Sequence, residues 1–279
     1  MTTGSGPGLL ARSIAPASAQ IRVMEVARHA AIVGIAGVIT GVLVGGVGGR
    51  VLMRIAAVAA PDRVIGATTE NGNRIGDITV GGTLAIVVFV GVLLGLVGAI
   101  AYLVAEPWLA WTGRWRGVAF GVFLLAIGGA GTLTSDNFDF FLVGNQELVV
   151  AMFVALFLGF GMLLVPVVAR LEQRLPPINQ ERPLAGGWGY LALAGFGLQF
   201  VLLFFVQFFV DDAASGEAPV LTGIMVVGLT AATALHLTRP NGRDRVIRAL
   251  QFSGYGFLAA AFLVGGTRVV DDIRTILSL

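Results

Sequence analysis

Arg50 and Arg54 stand four residues apart in the glycine-rich run GVITGVLVGGVGGRVLMRIAA, residues 37–57. On a helix that spacing places both guanidiniums on one face. There they could bind an anion such as a phosphate or lipid headgroup. The simpler expectation is that they snorkel from an apolar surface to the headgroup layer. Arg268 is a third anion-binding candidate. Three carboxylate doublets, Asp136/Asp139, Asp211/Asp212 and Asp271/Asp272, are each expected just beyond the end of an apolar run. Gathered at one mouth, they could hold a divalent cation or pair with the arginines. Solvated helix-end charges explain them more simply. Gln199 and Gln207 interrupt an otherwise apolar stretch. They could line a path, though bonding between helices is the plainer role.

Much chemistry is excluded. The chain has no cysteine, so disulfides, thiolate metal sites and thiol nucleophiles are absent. All eighteen basic residues are arginine, which removes lysine Schiff bases. The pattern HExxH, the pattern GxSxG and the P-loop do not occur. "DNFD" (136–139) resembles a fragment of aspartate-rich pyrophosphate-binding motifs, but the second half of such a pair is missing. His29 and His236 are the two histidines. Both are expected near one membrane boundary without a special role, and neither a cofactor nor a metal is expected. A net charge of +2 is too small and dispersed for nucleic-acid binding.

The elements that must position these residues are membrane helices. The 279 residues are 56% hydrophobic and 12% charged, about half the charged share of soluble domains. Several apolar runs exceed the roughly 18–20 residues that cross a bilayer. We expect an all-α polytopic membrane protein with seven spans near 30–49, 81–105, 117–134, 148–169, 187–210, 219–237 and 249–267. Residues 1–27 are expected to form a flexible cytoplasmic tail, and 28–279 a single helical domain. With the N-terminus inside, twelve arginines flank the inner helix ends and six the outer ends. This follows the positive-inside rule and leaves the C-terminus outside, in the cytoplasmic membrane. Trp108, Trp111, Trp115 and Trp188 are all expected at the inner boundary, where indole tolerates a mixed environment.

The first span can surface at Arg50, with residues 50–61 continuing as a bent or interfacial helix. The next stretch, RVIGATTENGNRIGDITVGG, carries an Asn71-Gly72 turn signal between β-prone runs. It is expected to form a small outer loop or β-hairpin. Gly37, Gly41, Gly45 and Gly49 recur every fourth residue, and Gly91 and Gly95 repeat the spacing in span two. Such faces let helices approach closely. They serve packing within the chain or, less simply, a homo-oligomer or a larger membrane complex.

Three function classes remain. The first is a non-enzymatic structural or accessory membrane component, surrounded by membrane lipids as its general partners. The second is a transporter or a lipid- or small-solute-binding protein with an outer-facing Arg/Asp site. The third is an enzyme acting on a phosphorylated lipid at the outer leaflet.

Overall fold

The computed structural model describes residues 19–59, 79–129, 132–133, 145–179, 181–211 and 244–278, with backbone alone for 200–211 and 244–251. Among these residues almost everything is helical and no strand occurs. Glycine-rich helices are weak in water, at about 1 kcal/mol lost per glycine relative to alanine. In lipid the balance changes, because every backbone N–H and C=O must bond within its own segment.

Helix α1 runs unbroken over Ala19–Ala59. Its turns widen to π geometry over Val42–Gly48. Helix α2 covers residues 80–109, with a second π segment at Ile86–Leu93. Thr79 caps its start by accepting from the Gly82 N–H at 3.1 Å. A short 3-10 turn, Ala110–Trp115, leads into α3, Arg116–Gly129. Helix α4 is Gln146–Arg174, capped by the Asn145 side chain on the Leu148 N–H. Helix α5 is Pro183–Asp211, and α6 is Asp244–Leu277. Among the described residues four helical stretches are long and apolar enough to cross a membrane: Ala19–Ala59, Val80–Gly129, Gln146–Arg174 and Phe252–Leu277.

The Val80–Gly129 stretch is a hairpin and not one rod. Gly113 adopts φ 55° and ψ −121°, and no other described residue has positive φ. That backbone region belongs to glycine. Beyond the bend, Phe120 meets Tyr102 edge to face with ring centroids 5.0 Å apart. Along a straight helix the two residues would stand about 27 Å apart.

Glycine decides how closely the helices approach. A Cβ on Gly41 would overlap the Gly91 carbonyl oxygen, and one on Gly37 would lie 2.5 Å from both the Ala99 Cβ and the Gly95 oxygen. Gly45 faces Val90. The two π segments therefore lie against each other at the α1–α2 crossing. A second crossing joins α3 to α4. There a Cβ on Gly117 would come within 2.9 Å of the Gly161 oxygen, and one on Gly121 within 2.9 Å of the Leu158 Cα. Helix α6 docks on the hairpin twice, through Gly254 on the Trp108 ring and Gly265 on the Ala126 carbonyl.

These contacts create two apolar clusters. The larger includes Ile32, Ala36, Tyr102, Trp108, Phe120, Phe160 and Leu164. The smaller, at the other end, joins Leu133, Val149, Val150, Val269 and Ile276, with Leu52 and Ala56 packed on its edge.

Several expectations need correction. Residues 19–27, assigned to the tail, are the first turns of α1. Helix α6 continues past 267 to Leu277, so Arg268, Asp271 and Asp272 lie on a helix and not beyond one. Trp108 is 1% exposed and enclosed by α6, so its indole faces protein and not lipid. Its ring fills the space that the missing side chain of Gly254 leaves. The loop or hairpin expected between the first two spans, and the sixth span, lie outside the described residues.

Candidate functional site

The N-terminal part of α1, the α2–α3 bend and the C-terminal part of α4 meet at one end of the bundle. Arg22, Arg28, Arg114, Arg116, Arg170 and Arg174 all belong to these parts of the sequence, so this is the basic end. Its centre is His29. The ring Nε2 lies 2.7 Å from Glu106 Oε2, and Nδ1 lies 3.0 Å from Glu172 Oε1. An ionised carboxylate only accepts hydrogen bonds, and an imidazole with two N–H donors is imidazolium. Two glutamates on opposite ring nitrogens thus fit a charged histidine clamped between two anions.

The two glutamates differ. Glu106 is 17% exposed and also accepts from the Tyr102 hydroxyl at 3.4 Å, with Arg116 Nη1 3.8 Å from the same carboxylate. Glu172 is 41% exposed and stands on the last turns of α4. Helix geometry accounts for the meeting. Tyr102 and Glu106 are four residues apart and share a face of α2. The bend at Gly113 brings Arg116 back to that face.

Arg28 completes the joint. Its Nε donates to the Pro176 carbonyl at 2.9 Å, and its Nη2 donates to those of Glu172 and Leu175 at 2.9 and 2.8 Å. The last carbonyls of a helix have no intrahelical partner. A guanidinium fork satisfies several together and places positive charge at the negative end of the helix dipole. Tyr190 of α5 also donates to the Pro176 carbonyl, at 3.0 Å. Adjacent residues of α1 therefore bind α4 in two ways, Arg28 through backbone and His29 through a side chain.

The residues singled out from the sequence are placed elsewhere. Arg50 is half-buried, and its Nε has no hydrogen-bond partner among the described residues. Arg54 is exposed and borders a shallow groove of about 450 Å³ along Val51, Ile55, Val58 and Ala59. Neither arginine makes an ion pair with a described carboxylate. Arg268 is exposed, and Asp271 pairs with Arg274 at 3.7 Å on the surface of α6. Gln199 is exposed. Gln207 and Asp211 lie on α5 where backbone alone is described. Asp136, Asp139 and Asp212 fall outside the described residues. Of the packing glycines, Gly37, Gly41 and Gly45 face α2, with Gly91 and Gly95 opposite, whereas Gly49 has open space.

Among the described residues no group of three His, Cys, Asp or Glu side chains is placed to hold a metal ion. The His29 cluster shows why: its carboxylates address opposite ring nitrogens and do not converge on one point. Sequence reasoning missed this cluster. Its signal was present, because His29, Glu106 and Glu172 all fall at the inner ends of their spans. Span counting gives depth, and only helix rotation shows that the three face one another. No family model, curated protein or solved structure matches the chain.

Proposed function

We propose that this chain is a multi-pass protein of the cytoplasmic membrane with a structural or accessory role, and that it catalyses no reaction. One observation carries this reading: the chemically capable side chains at the basic end are bonded to one another across helices. His29, Glu106, Glu172, Tyr102 and Arg116 are linked in one set across α1, α2, α3 and α4. The glycine crossings bring backbone against backbone beneath it. Such a bundle suits a rigid membrane element that presents its outer face to lipid or to a partner.

Seven spans with the N-terminus inside remain our reading of the layout. Support comes from the helix ends. Helix α5 starts at the basic end, where Gly187 meets Met24, and α6 starts near the same end, where Gly254 meets Trp108. Two helices that start at the same end are what a further span between them would require.

The native chain lacks cysteine, so single-cysteine variants report without background. Ser278→Cys is expected to react with a membrane-impermeant maleimide in intact cells, and Gln173→Cys only after lysis. Co-purification from native membranes in mild detergent is expected to recover a stoichiometric protein partner. Reaction of both cysteines in intact cells would overturn the layout. A monodisperse, partner-free protein that moves a solute in vesicles would overturn the accessory role.

A further inference from the structure

We propose that His29, Glu106 and Glu172 form a proton-binding latch that holds α1, α2 and α4 together at the basic end and lets the end of α4 pivot when its proton leaves. The inference goes beyond the structural role above and does not depend on which side of the membrane the basic end faces.

The geometry sets the two states. With two N–H donors, the imidazolium gives one hydrogen bond to each carboxylate, at 2.7 and 3.0 Å. After losing one proton, the ring keeps one donor, and its other nitrogen becomes an acceptor. An acceptor nitrogen facing a carboxylate oxygen repels it, so one glutamate must let go. Glu106 stays, because Tyr102 and Arg116 also hold it and it is the more enclosed. Glu172 is the more exposed of the two and can be hydrated. The proton leaves to water on that side.

The charged neighbourhood favours this sequence. Helix α2 contributes Glu106 and Tyr102, α3 contributes Arg116, and α4 contributes Glu172. On α1 itself, Arg28 is bound to the α4 carbonyls and Glu25 is exposed. Helix α5 packs along α1, and its residues 183–199 carry no charge. When Glu172 is released, α4 remains attached through Arg28, so its end pivots and does not detach.

The test uses the full chain in lipid nanodiscs. Nitrogen NMR of the two histidines, assigned with His236→Gln, reads the protonation state of His29 directly. The doubly protonated form is expected to persist above about pH 6.5, where a solvent-exposed histidine is half titrated. Spin labels at Val23→Cys and Gln173→Cys report the α1–α4 separation. That distance is expected to increase across the same pH interval in which His29 titrates, and to stay constant in a His29→Gln background. A neutral single-tautomer His29 at or below that pH would overturn the latch. So would a constant label distance through the titration, or the same increase in His29→Gln. The NMR measurement needs no change at the latch itself, so it decides even if His29→Gln fails to fold.

Discussion

Arg28 and His29 are neighbours with different tasks, and that difference can be measured. Arg28→Ala removes three charge-assisted donors to the end of α4. Water replaces part of the loss at this partly exposed site, leaving a cost of about 2 kcal/mol. The thermal midpoint, followed by tryptophan fluorescence in detergent, is expected to fall by about 5 °C. Arg28→Lys is expected to recover less than half of that, because an ammonium cannot reproduce the planar fork. At this scale the sequence revealed residue types and depth but not partnership. The conspicuous Arg50 and Arg54 pair makes no described ion pair, while the unremarkable His29 binds two glutamates. Spacing within one helix is legible from the chain. The rotation that turns His29 toward Glu106, 77 positions away, is set by packing.

At the scale of the helices, glycine acts through both contact and conformation, and three alanine substitutions separate the effects. Gly41→Ala drives a methyl into the Gly91 carbonyl and is expected to destabilise by about 3 kcal/mol. Gly49→Ala meets nothing within 4 Å and is expected to be neutral or stabilising by up to about 1 kcal/mol. Gly113→Ala also meets open space, yet its backbone has φ 55°. It is expected to cost about 1–3 kcal/mol through strain alone. Thermal unfolding of the three variants in one detergent checks the ranking. The fourfold spacing from Gly37 suggested a single continuous face. Residues eight apart on a helix already differ by about 80° in direction, and Gly49 meets open space. The π turns at Val42–Gly48 shift the register further and have no compositional mark in the sequence. The GxxxG pair Gly117/Gly121, by contrast, is legible in the sequence.

For the whole molecule, charge and aromatic rings gather at one end. Arg114, Arg170, Arg174 and Arg182 are exposed there, as are Trp111, Trp115 and Trp188. Replacing zwitterionic with anionic lipid in nanodiscs is expected to raise the thermal midpoint, at about 1 kcal/mol per arginine near the surface. Salt near 1 M is expected to abolish most of the gain, because screening then acts within about 3 Å. An unchanged midpoint in both lipids would show that this end does not sit at the headgroups. The helical class and the long apolar stretches were plain from composition, since only 12% of the residues are charged. The spans expected at 81–105 and 117–134 require a reversal between them, and its position at Gly113 is local to that turn. The enclosure of Trp108 depends instead on α6, whose Gly254 lies more than a hundred residues away in the chain.

Helix α1 is 41 residues long, roughly 61 Å, about twice the hydrocarbon thickness of a bilayer. Its tightest crossing lies at Gly41, so Ala59 stands about 27 Å beyond the fulcrum. A rocking of about ten degrees there would sweep that tip through about 5 Å. The opposite arm ends among the side chains that grip α4, so α1 has the proportions of a lever that runs from one end of the bundle to the other.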